Sequence, residues 1–180
     1  AGIFFLFVDF KIALKSDIGG STEVERLKDL GQKNVLALFS DSTNAREPGR
    51  QFSEEDIKIE IEDIIKNASG RLIIGIFASH LGRINQIIQI AEKYDKKIVV
   101  EGRSMKNNIA IGKELGYVKY TAKTIIPIEE VGGYPQNKII ILATGAQGED
   151  NAVLMRIVNK GHRYLKIEPE DTVVFSSSVI

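Results

Sequence analysis

The apolar run Val35-Leu36-Ala37-Leu38-Phe39 leads directly into the polar stretch Ser40-Asp41-Ser42-Thr43-Asn44. A short apolar run bounded by turn residues predicts a buried β-strand. Open α/β sheets bind their ligands beyond the carboxyl ends of such strands. The stretch therefore predicts an α/β fold in which the functional side chains follow the strand ends.

The same arrangement recurs four more times along the chain. Apolar runs at 72–77, 98–100, 139–142 and 172–175 each end in a loop of small, polar or charged residues. If all five strands are parallel, their loops gather at one edge of a sheet. Serine, threonine, glycine and arginine suit a phosphate-bearing ligand there, although turns use several of these residue types for reasons of their own.

Helical patterns separate these strands. The predicted helices cover 21–30, 53–66, 81–94, 105–115 and 149–159, with Ser21 and Ser53 as N-terminal caps. An additional β segment is expected at 3–12, and 164–167 with 172–175 is expected to form a closing pair of strands. Alternating strands and helices favour right-handed parallel crossovers. We therefore expect one α/β domain with a mostly parallel central sheet.

The composition excludes several classes of protein. The chain has 180 residues, a formal net charge of +0 and no cysteine, so neither a uniformly basic nucleic-acid clamp nor a thiolate metal site is expected. Two histidines are too few for an ordinary multi-histidine zinc centre. The apolar opening at 2–8 is too short to span a bilayer, and an intracellular protein is expected.

The side chains themselves leave the chemistry open. Asp9 and Asp41 each follow a predicted strand, where they could share a cation or act in acid/base catalysis. The commoner role of such a carboxylate is a hydrogen bond within a loop or at a helix N-terminus. A lone histidine is more often structural than a ligand. From the residues alone, the prediction is a phosphate-binding edge of an α/β sheet.

Six short strings extend this prediction, because they occur in one order at plausible spacing. Together they resemble ribonuclease J, of the β-CASP branch of the metallo-β-lactamase superfamily, over nearly the whole chain. The strings are Asp9-Phe10-Lys11, Ser40-Asp41-Ser42-Thr43-Asn44-Ala45 with Pro48-Gly49, Phe77-Ala78-Ser79, Gly102-Arg103-Ser104-Met105, Thr144-Gly145-Ala146-Gln147-Gly148-Glu149 and Phe175-Ser176-Ser177-Ser178.

The resemblance implies a fold and an activity. The fold is a Rossmann-like three-layer sandwich, with 1–20 as a remnant of the metallo-β-lactamase catalytic domain and 21–180 as the β-CASP domain, truncated where the chain returns to the catalytic domain. The implied activity is that of a cytoplasmic, metal-dependent ribonuclease with two zinc or manganese ions. It would cut RNA internally and from a 5′-monophosphorylated end, as a homo-oligomer that is not bound to a membrane.

The resemblance also implies roles for individual residues. Asp9 matches a metal ligand, and Asp41 matches a catalytic acidic residue that orients a metal-binding histidine. Val8 and Gly82 depart from the family, which has glycine and histidine there. The positions that match RNA- or phosphate-binding loops are Ser79, His80, Arg83, Arg103, Ser104, Gly145, Gln147, Ser176, Ser177 and Ser178.

The metal-binding histidine motifs of the family have no counterpart in this chain, which begins at Ala1 and stops at Ile180 directly after a predicted strand and its serine-rich exit. We therefore expect a piece of a longer enzyme that forms the RNA-binding wall of its cleft and is inactive alone. One alternative is a non-catalytic nucleotide- or sugar-phosphate-binding domain. Another is an oligomerisation module whose polar edge is incidental.

Overall fold

The structure is a computed structural model that describes residues 3–6, 20–42, 45–46, 48–49, 52–146, 148 and 152–176. The chain divides into two compact units, Ala1–Ser53 and Glu54–Ile180. The domain boundary predicted at residue 20 stays a prediction. Among the described residues, no helix is both long enough and apolar enough to cross a membrane.

The first unit contains two short strands and one helix. Strand β1 (Ile3–Leu6) pairs in parallel with strand β2 (Val35–Phe39), and helix α1 (Val24–Gly31) lies between them in sequence. The prediction of Ser21 as helix cap is wrong, because the helix begins at Val24 after Glu23. The arginine at the third position of α1, Arg26, pairs with Glu23 at 3.2 Å.

The second unit alternates helices and strands. Its helices are α2 (Glu54–Asn67), α3 (Leu81–Lys93), α4 (Arg103–Glu114) and α5 (Val153–Val158). Its strands are β3 (Leu72–Gly75), β4 (Lys97–Glu101), β5 (Ile139–Ala143) and β6 (Thr172–Phe175). Two 3-10 helices, Ile128–Gly133 and Gln136–Lys138, precede β5.

The four strands of the second unit form one parallel sheet in the order β4-β5-β3-β6. Parallel pairing throughout confirms the mostly parallel central sheet predicted from the sequence. One expectation is wrong: β2 belongs to the separate two-stranded sheet with β1, so the five predicted strands do not share one sheet.

The segment 164–167 is also not a strand, contrary to the prediction. Its backbone turns instead, because Nδ1 of His162 accepts hydrogen bonds from the amides of Tyr164 at 3.3 Å and Leu165 at 3.2 Å. Strand β6 consequently has no hairpin partner and pairs in parallel with β3, Leu72 facing Thr172 and Gly75 facing Phe175.

Side chains of the sheet alternate between two apolar clusters, one on each face. Ile74 and Ile140 pack with α2, α3 and α4 on one face, while Ile73 and Ile141 pack with α5 on the other. Strands that are buried on both faces are typical of parallel sheets covered by helices. The second unit is therefore a three-layer α/β sandwich, as the resemblance implies.

A buried ion pair fixes the amino-terminal side of this sheet. Nε and Nη2 of Arg71, just before β3, donate to the two carboxylate oxygens of Asp171, just before β6, at 2.8 and 2.6 Å. Nη2 also donates to the carbonyl oxygen of Lys166 at 2.8 Å. The Asp171 hydrogen bond raises the pKa of Arg71, so the guanidinium is held in its charged form.

Candidate functional site

Four loops leave the sheet at its carboxyl edge, which we define as the ends of β3, β4, β5 and β6 with the residues that follow them. Gly75 faces both Ala143 and Phe175, and Ala143 also faces Glu101. All four strands therefore end at the same level. The prediction that these loops gather at one edge is confirmed for the four strands of the second unit.

The loops after β4 and β5 touch each other. Gly102 has a φ of +115°, and a Cβ atom at this position would lie 2.9 Å from Oγ1 of Thr144. Only glycine combines this backbone angle with so close an approach. Because glycine has no side chain, the start of α4 can pack against the end of β5.

Gly145, a predicted binding residue, is buried in a tight turn. Its φ is +110°, and an added Cβ would lie 2.6 Å from Cβ of Ala152. The amide of Leu154 donates to the carbonyl oxygen of Thr144 at 3.0 Å, which closes the turn onto α5. The position therefore requires glycine for packing, independently of any ligand.

Helix α4 presents its amino-terminal end at the carboxyl edge. Its first two residues, Arg103 and Ser104, are exposed, and its first turn contains no acidic residue. The side chain of Arg103 makes neither a hydrogen bond nor an ion pair with the residues that the structure describes. The amide groups and the dipole at a helix N-terminus favour an anion. This end of the helix therefore combines an accessible cation with an electropositive backbone.

The loop after β3 brings Ser79 and His80 to the surface beside α4. Both residues are exposed, and the imidazole of His80 meets the ring of Phe77 edge-on, with centroids 5.5 Å apart. Nδ2 of Asn108, on α4, donates to the carbonyl oxygen of Ala78 at 2.8 Å. That hydrogen bond ties the β3 loop to α4, so the exposed residues of both lie on the same edge.

Arg83 lies on α3 and is only 10% exposed. Its guanidinium bonds the carboxylate of Glu54 through Nε and Nη2, and it bonds the carbonyl and hydroxyl oxygens of Ser176 through Nη1. Ser176 is itself buried, and its amide donates to the carbonyl oxygen of Gly75 at 2.8 Å. The structure thus brings together two predicted site residues, Arg83 and Ser176, but joins them to each other.

The sequence reasoning missed a second cluster at this edge. The carboxylate of Glu101, at the end of β4, accepts from Nζ of Lys106 at 2.7 Å and lies 3.4 Å from Nε2 of His162. Lys106 is exposed, whereas His162 is buried. Glu101 was recognisable as an acidic residue at the end of an apolar strand, but nothing in the sequence relates it to His162.

The other predicted residues lie elsewhere. Asp41 follows β2 in the first unit and is exposed. Asp9, Gln147, Ser177 and Ser178 lie outside the described residues, so their predicted roles stay predictions. Within the described part of the chain, no three histidine or carboxylate side chains lie close enough together to hold a metal ion.

Comparison with known proteins identifies relatives of this chain. Residues 69–180 match the family described as the β-CASP domain of ribonuclease J. The chain is similar to ribonuclease J from Helicobacter pylori strain J99, with 40% identity over 172 residues, which are 96% of this chain and 25% of that protein.

Two further relatives match over the same 172 residues and 96% of the chain. Ribonuclease J from Thermus thermophilus is 41% identical, with 30% of its length covered, and ribonuclease J2 from Bacillus subtilis is 37% identical, with 31% covered. The chain therefore spans less than a third of the length of these relatives.

Proposed function

This chain belongs to the ribonuclease J family through its β-CASP domain, and we propose that its carboxyl edge forms an RNA-binding wall in the active-site cleft of a longer ribonuclease. The observation that carries the proposal is the exposed Arg103 at the N-terminus of α4, a helix that contacts the loop after β3 and whose preceding residue, Gly102, contacts the loop after β5. An accessible guanidinium at the N-terminus of a helix suits a phosphodiester backbone.

Such an edge would bind a single strand largely without reading its sequence. Phosphate contacts position a nucleic acid, whereas specificity requires contacts with base edges. The net charge of +0 limits the electropositive surface to a local site rather than a uniformly basic face. We therefore expect moderate affinity that decreases with salt and depends little on base composition.

The finer features of the function are proposals from the family resemblance. We propose that the longer protein is a cytoplasmic homo-oligomer that prefers 5′-monophosphorylated RNA and uses two zinc or manganese ions. Such ions activate water and stabilise charge during phosphodiester hydrolysis. Asp9 is proposed as a ligand and Asp41 as a catalytic residue, while the remaining ligands would come from other parts of the longer protein.

The proposal is tested with the full-length protein and fluorescent 5′-monophosphorylated RNA. Anisotropy is measured with single strands of increasing length and with a mononucleotide. For an RNA-binding wall, affinity should rise with length up to about 4–16 nucleotides. Saturation by the mononucleotide, with no gain from longer RNA, would instead identify a nucleotide-binding domain.

A cleavage assay completes the test. Excess chelator should abolish hydrolysis by the full-length protein while leaving RNA binding measurable, because the proposed phosphate contacts at the carboxyl edge involve no metal. Concentration-dependent self-association without RNA binding would contradict the proposal and favour an oligomerisation module.

A further inference from the structure

All three nitrogens of the Arg83 guanidinium have hydrogen-bond partners. Nε lies 3.2 Å from one Glu54 oxygen, and Nη2 lies 2.9 Å from each of the two carboxylate oxygens. Nη1 lies 3.0 Å from the carbonyl oxygen and 3.2 Å from the hydroxyl oxygen of Ser176. Nε and Nη2 form the fork with which a guanidinium binds a carboxylate or a phosphate. A phosphate could therefore bind this fork of Arg83 only by displacing Glu54.

The burial of Arg83 and the charge of its partner Glu54 also argue against a contact between Arg83 and phosphate. The side chain of Arg83 is 10% exposed, and the carboxylate of Glu54 compensates its charge. Arg103, by contrast, is exposed and has no acidic neighbour in the first turn of its helix. Bringing Arg83 to a phosphate would leave Glu54 beside the same anion, which like-charge repulsion disfavours.

The partners of Arg83 lie at the two ends of the second unit. Glu54 is the first residue of α2, and Ser176 directly follows β6, from which the chain continues into Ser177 and Ser178. Arg83 fixes both the backbone carbonyl and the hydroxyl of Ser176. Arg83 therefore holds the residue at which the chain leaves β6.

We propose that Arg83 is a positioning residue, which holds the end of β6 in place at the RNA-binding carboxyl edge through Ser176 and does not itself contact phosphate. This inference rests on the proposed function, because it concerns the same RNA-binding edge. It replaces the direct phosphate contact that the sequence predicted for Arg83.

The substitution Glu54→Gln separates the two roles. If Arg83 bound phosphate, removing the opposing carboxylate charge would release the guanidinium and tighten RNA binding. If Arg83 is a positioning residue, the same change weakens the contact that orients its guanidinium toward Ser176, so RNA binding weakens. The conservative change Arg83→Lys should act in the same direction, because an ammonium cannot reproduce the planar fork.

Salt dependence gives a second, independent distinction. Each phosphate contact to a single strand contributes about 0.7 to the slope of log affinity against log salt. Arg83→Lys and Glu54→Gln should each weaken RNA binding by about tenfold. Glu54→Gln should leave that slope unchanged, whereas a released Arg83 that gains a phosphate contact would increase it by about 0.7.

The chain offers a matched control on the same two helices. Nζ of Lys93, near the end of α3, pairs with Glu62 of α2. This ion pair also joins α3 to α2 but makes no contact with Ser176. Lys93→Gln and Glu62→Gln should therefore leave both the RNA affinity and its salt slope at wild-type values.

The experiment uses the full-length protein and measures RNA affinity at several salt concentrations, together with amide hydrogen exchange over 172–176 without RNA. The proposal expects weaker RNA binding and faster exchange in both variants, with an unchanged slope in Glu54→Gln. Tighter binding by Glu54→Gln, a slope increased by about 0.7 in Glu54→Gln, or wild-type affinity in both would overturn it. If Arg83→Lys fails to fold, Glu54→Gln alone decides.

The experiment distinguishes failure of the proposed RNA-binding function from failure of the positioning role of Arg83. If the wild-type protein binds no RNA, the proposed function fails, and the positioning role of Arg83 for RNA fails with it. Faster exchange at 172–176 would then show only that Arg83 holds Ser176. If the wild type binds RNA and the variants match it, only the inference about Arg83 fails.

Discussion

Nε2 of His162 lies 3.4 Å from a carboxylate oxygen of Glu101, although 61 positions separate the two residues in the chain. Nδ1 of the same ring accepts hydrogen bonds from the amides of Tyr164 and Leu165. A neutral imidazole that accepts at Nδ1 carries its proton on Nε2, so the ring donates to Glu101. His162 thus links the loop after α5 to the end of β4.

The Glu101 carboxylate also lowers the positive charge at the carboxyl edge, because it pairs with Lys106. Glu101→Gln should free this ammonium while the amide oxygen still accepts from His162. We expect RNA binding to tighten about threefold and its salt slope to increase by up to about 0.7, measured by anisotropy at several salt concentrations. Weaker binding would show that Glu101 has a positive role in RNA binding.

Arg103→Ala should weaken RNA binding by about tenfold, because it removes an exposed guanidinium from the N-terminus of α4. The loss should be nearly equal for RNAs of different sequence, and the salt slope should decrease by about 0.7. Anisotropy with purine-rich and pyrimidine-rich strands measures both quantities. A loss confined to one sequence would argue for base recognition and against a phosphate contact.

The matched control for Arg103 is Lys123→Ala. Lys123 is also an exposed cation, but it lies beside Thr124, whose carbonyl oxygen accepts from the amide of Ile98 near the start of β4. This is the opposite end of the sheet from Arg103. The control should keep wild-type RNA affinity, which separates a local contact from a change in net charge.

Asp171→Asn should lower the free energy of unfolding of the second unit by up to about 3–5 kcal/mol, because it leaves the buried charge of Arg71 with only the half-exposed carboxylate of Glu168, 3.7 Å away. The Asp171 side chain is fully buried and that of Arg71 is 8% exposed. Denaturant unfolding measures the change. The double variant Arg71→Met/Asp171→Leu should lose less, since neither buried charge remains.

An exposed ion pair provides the comparison. Glu55 and Lys58 on α2 lie 3.7 Å apart, with side chains that are 69% and 39% exposed. Glu55→Gln should change the free energy of unfolding by less than about 1 kcal/mol. Equal losses in the free energy of unfolding for Glu55→Gln and Asp171→Asn would show that burial does not determine how much an ion pair contributes to stability.

Glu92 should make the stability of the second unit dependent on pH. Burial raises the pKa of this carboxyl, but hydrogen bonds from the amide of Thr121 and the hydroxyl of Thr124 outweigh burial, so the pKa lies below its ordinary value of 4.5. The group therefore stabilises the fold above pH 4.5, and this contribution is lost as the pH falls through the lowered pKa.

Thermal unfolding measured between neutral pH and pH 3 tests this effect. The wild-type protein should lose more stability below pH 4.5 than the variant Glu92→Gln, whose amide does not titrate. Parallel curves for the two proteins would show that the hydrogen bonds to Glu92 contribute no pH dependence.

The strand ends were predictable from the sequence because apolar runs such as 72–75 and 139–143 stop abruptly at small polar residues. Burial on both faces of a parallel sheet produces such runs. The apolar spacing of α3 likewise predicted a helix that begins at Leu81 and ends one residue beyond its observed end at Lys93. Local sequence patterns were thus sufficient to predict strands and helices whose buried positions recur at regular spacing.

Partners distant in sequence were not predictable. An apolar run does not show which strand it pairs with, so β2 was expected in the main sheet although it pairs with β1. The hydrogen bonds of Arg83 were not predictable for the same reason, because its partners Glu54 and Ser176 lie 29 and 93 positions away in the chain. The turn at His162 likewise depends on a side chain that carries no local signal for it.

The strand order β4-β5-β3-β6 has a consequence for synthesis of the protein. Strand β3 leaves the ribosome before β4, yet its two neighbours in the sheet, β5 and β6, are the last strands of the unit to be made. Until they are made, both edges of β3 remain unpaired and its apolar side chains remain without their partners in the sheet. Unpaired apolar strands of this kind are prone to aggregation. Slowing translation before residue 139 should therefore prolong the interval in which the nascent chain depends on chaperones.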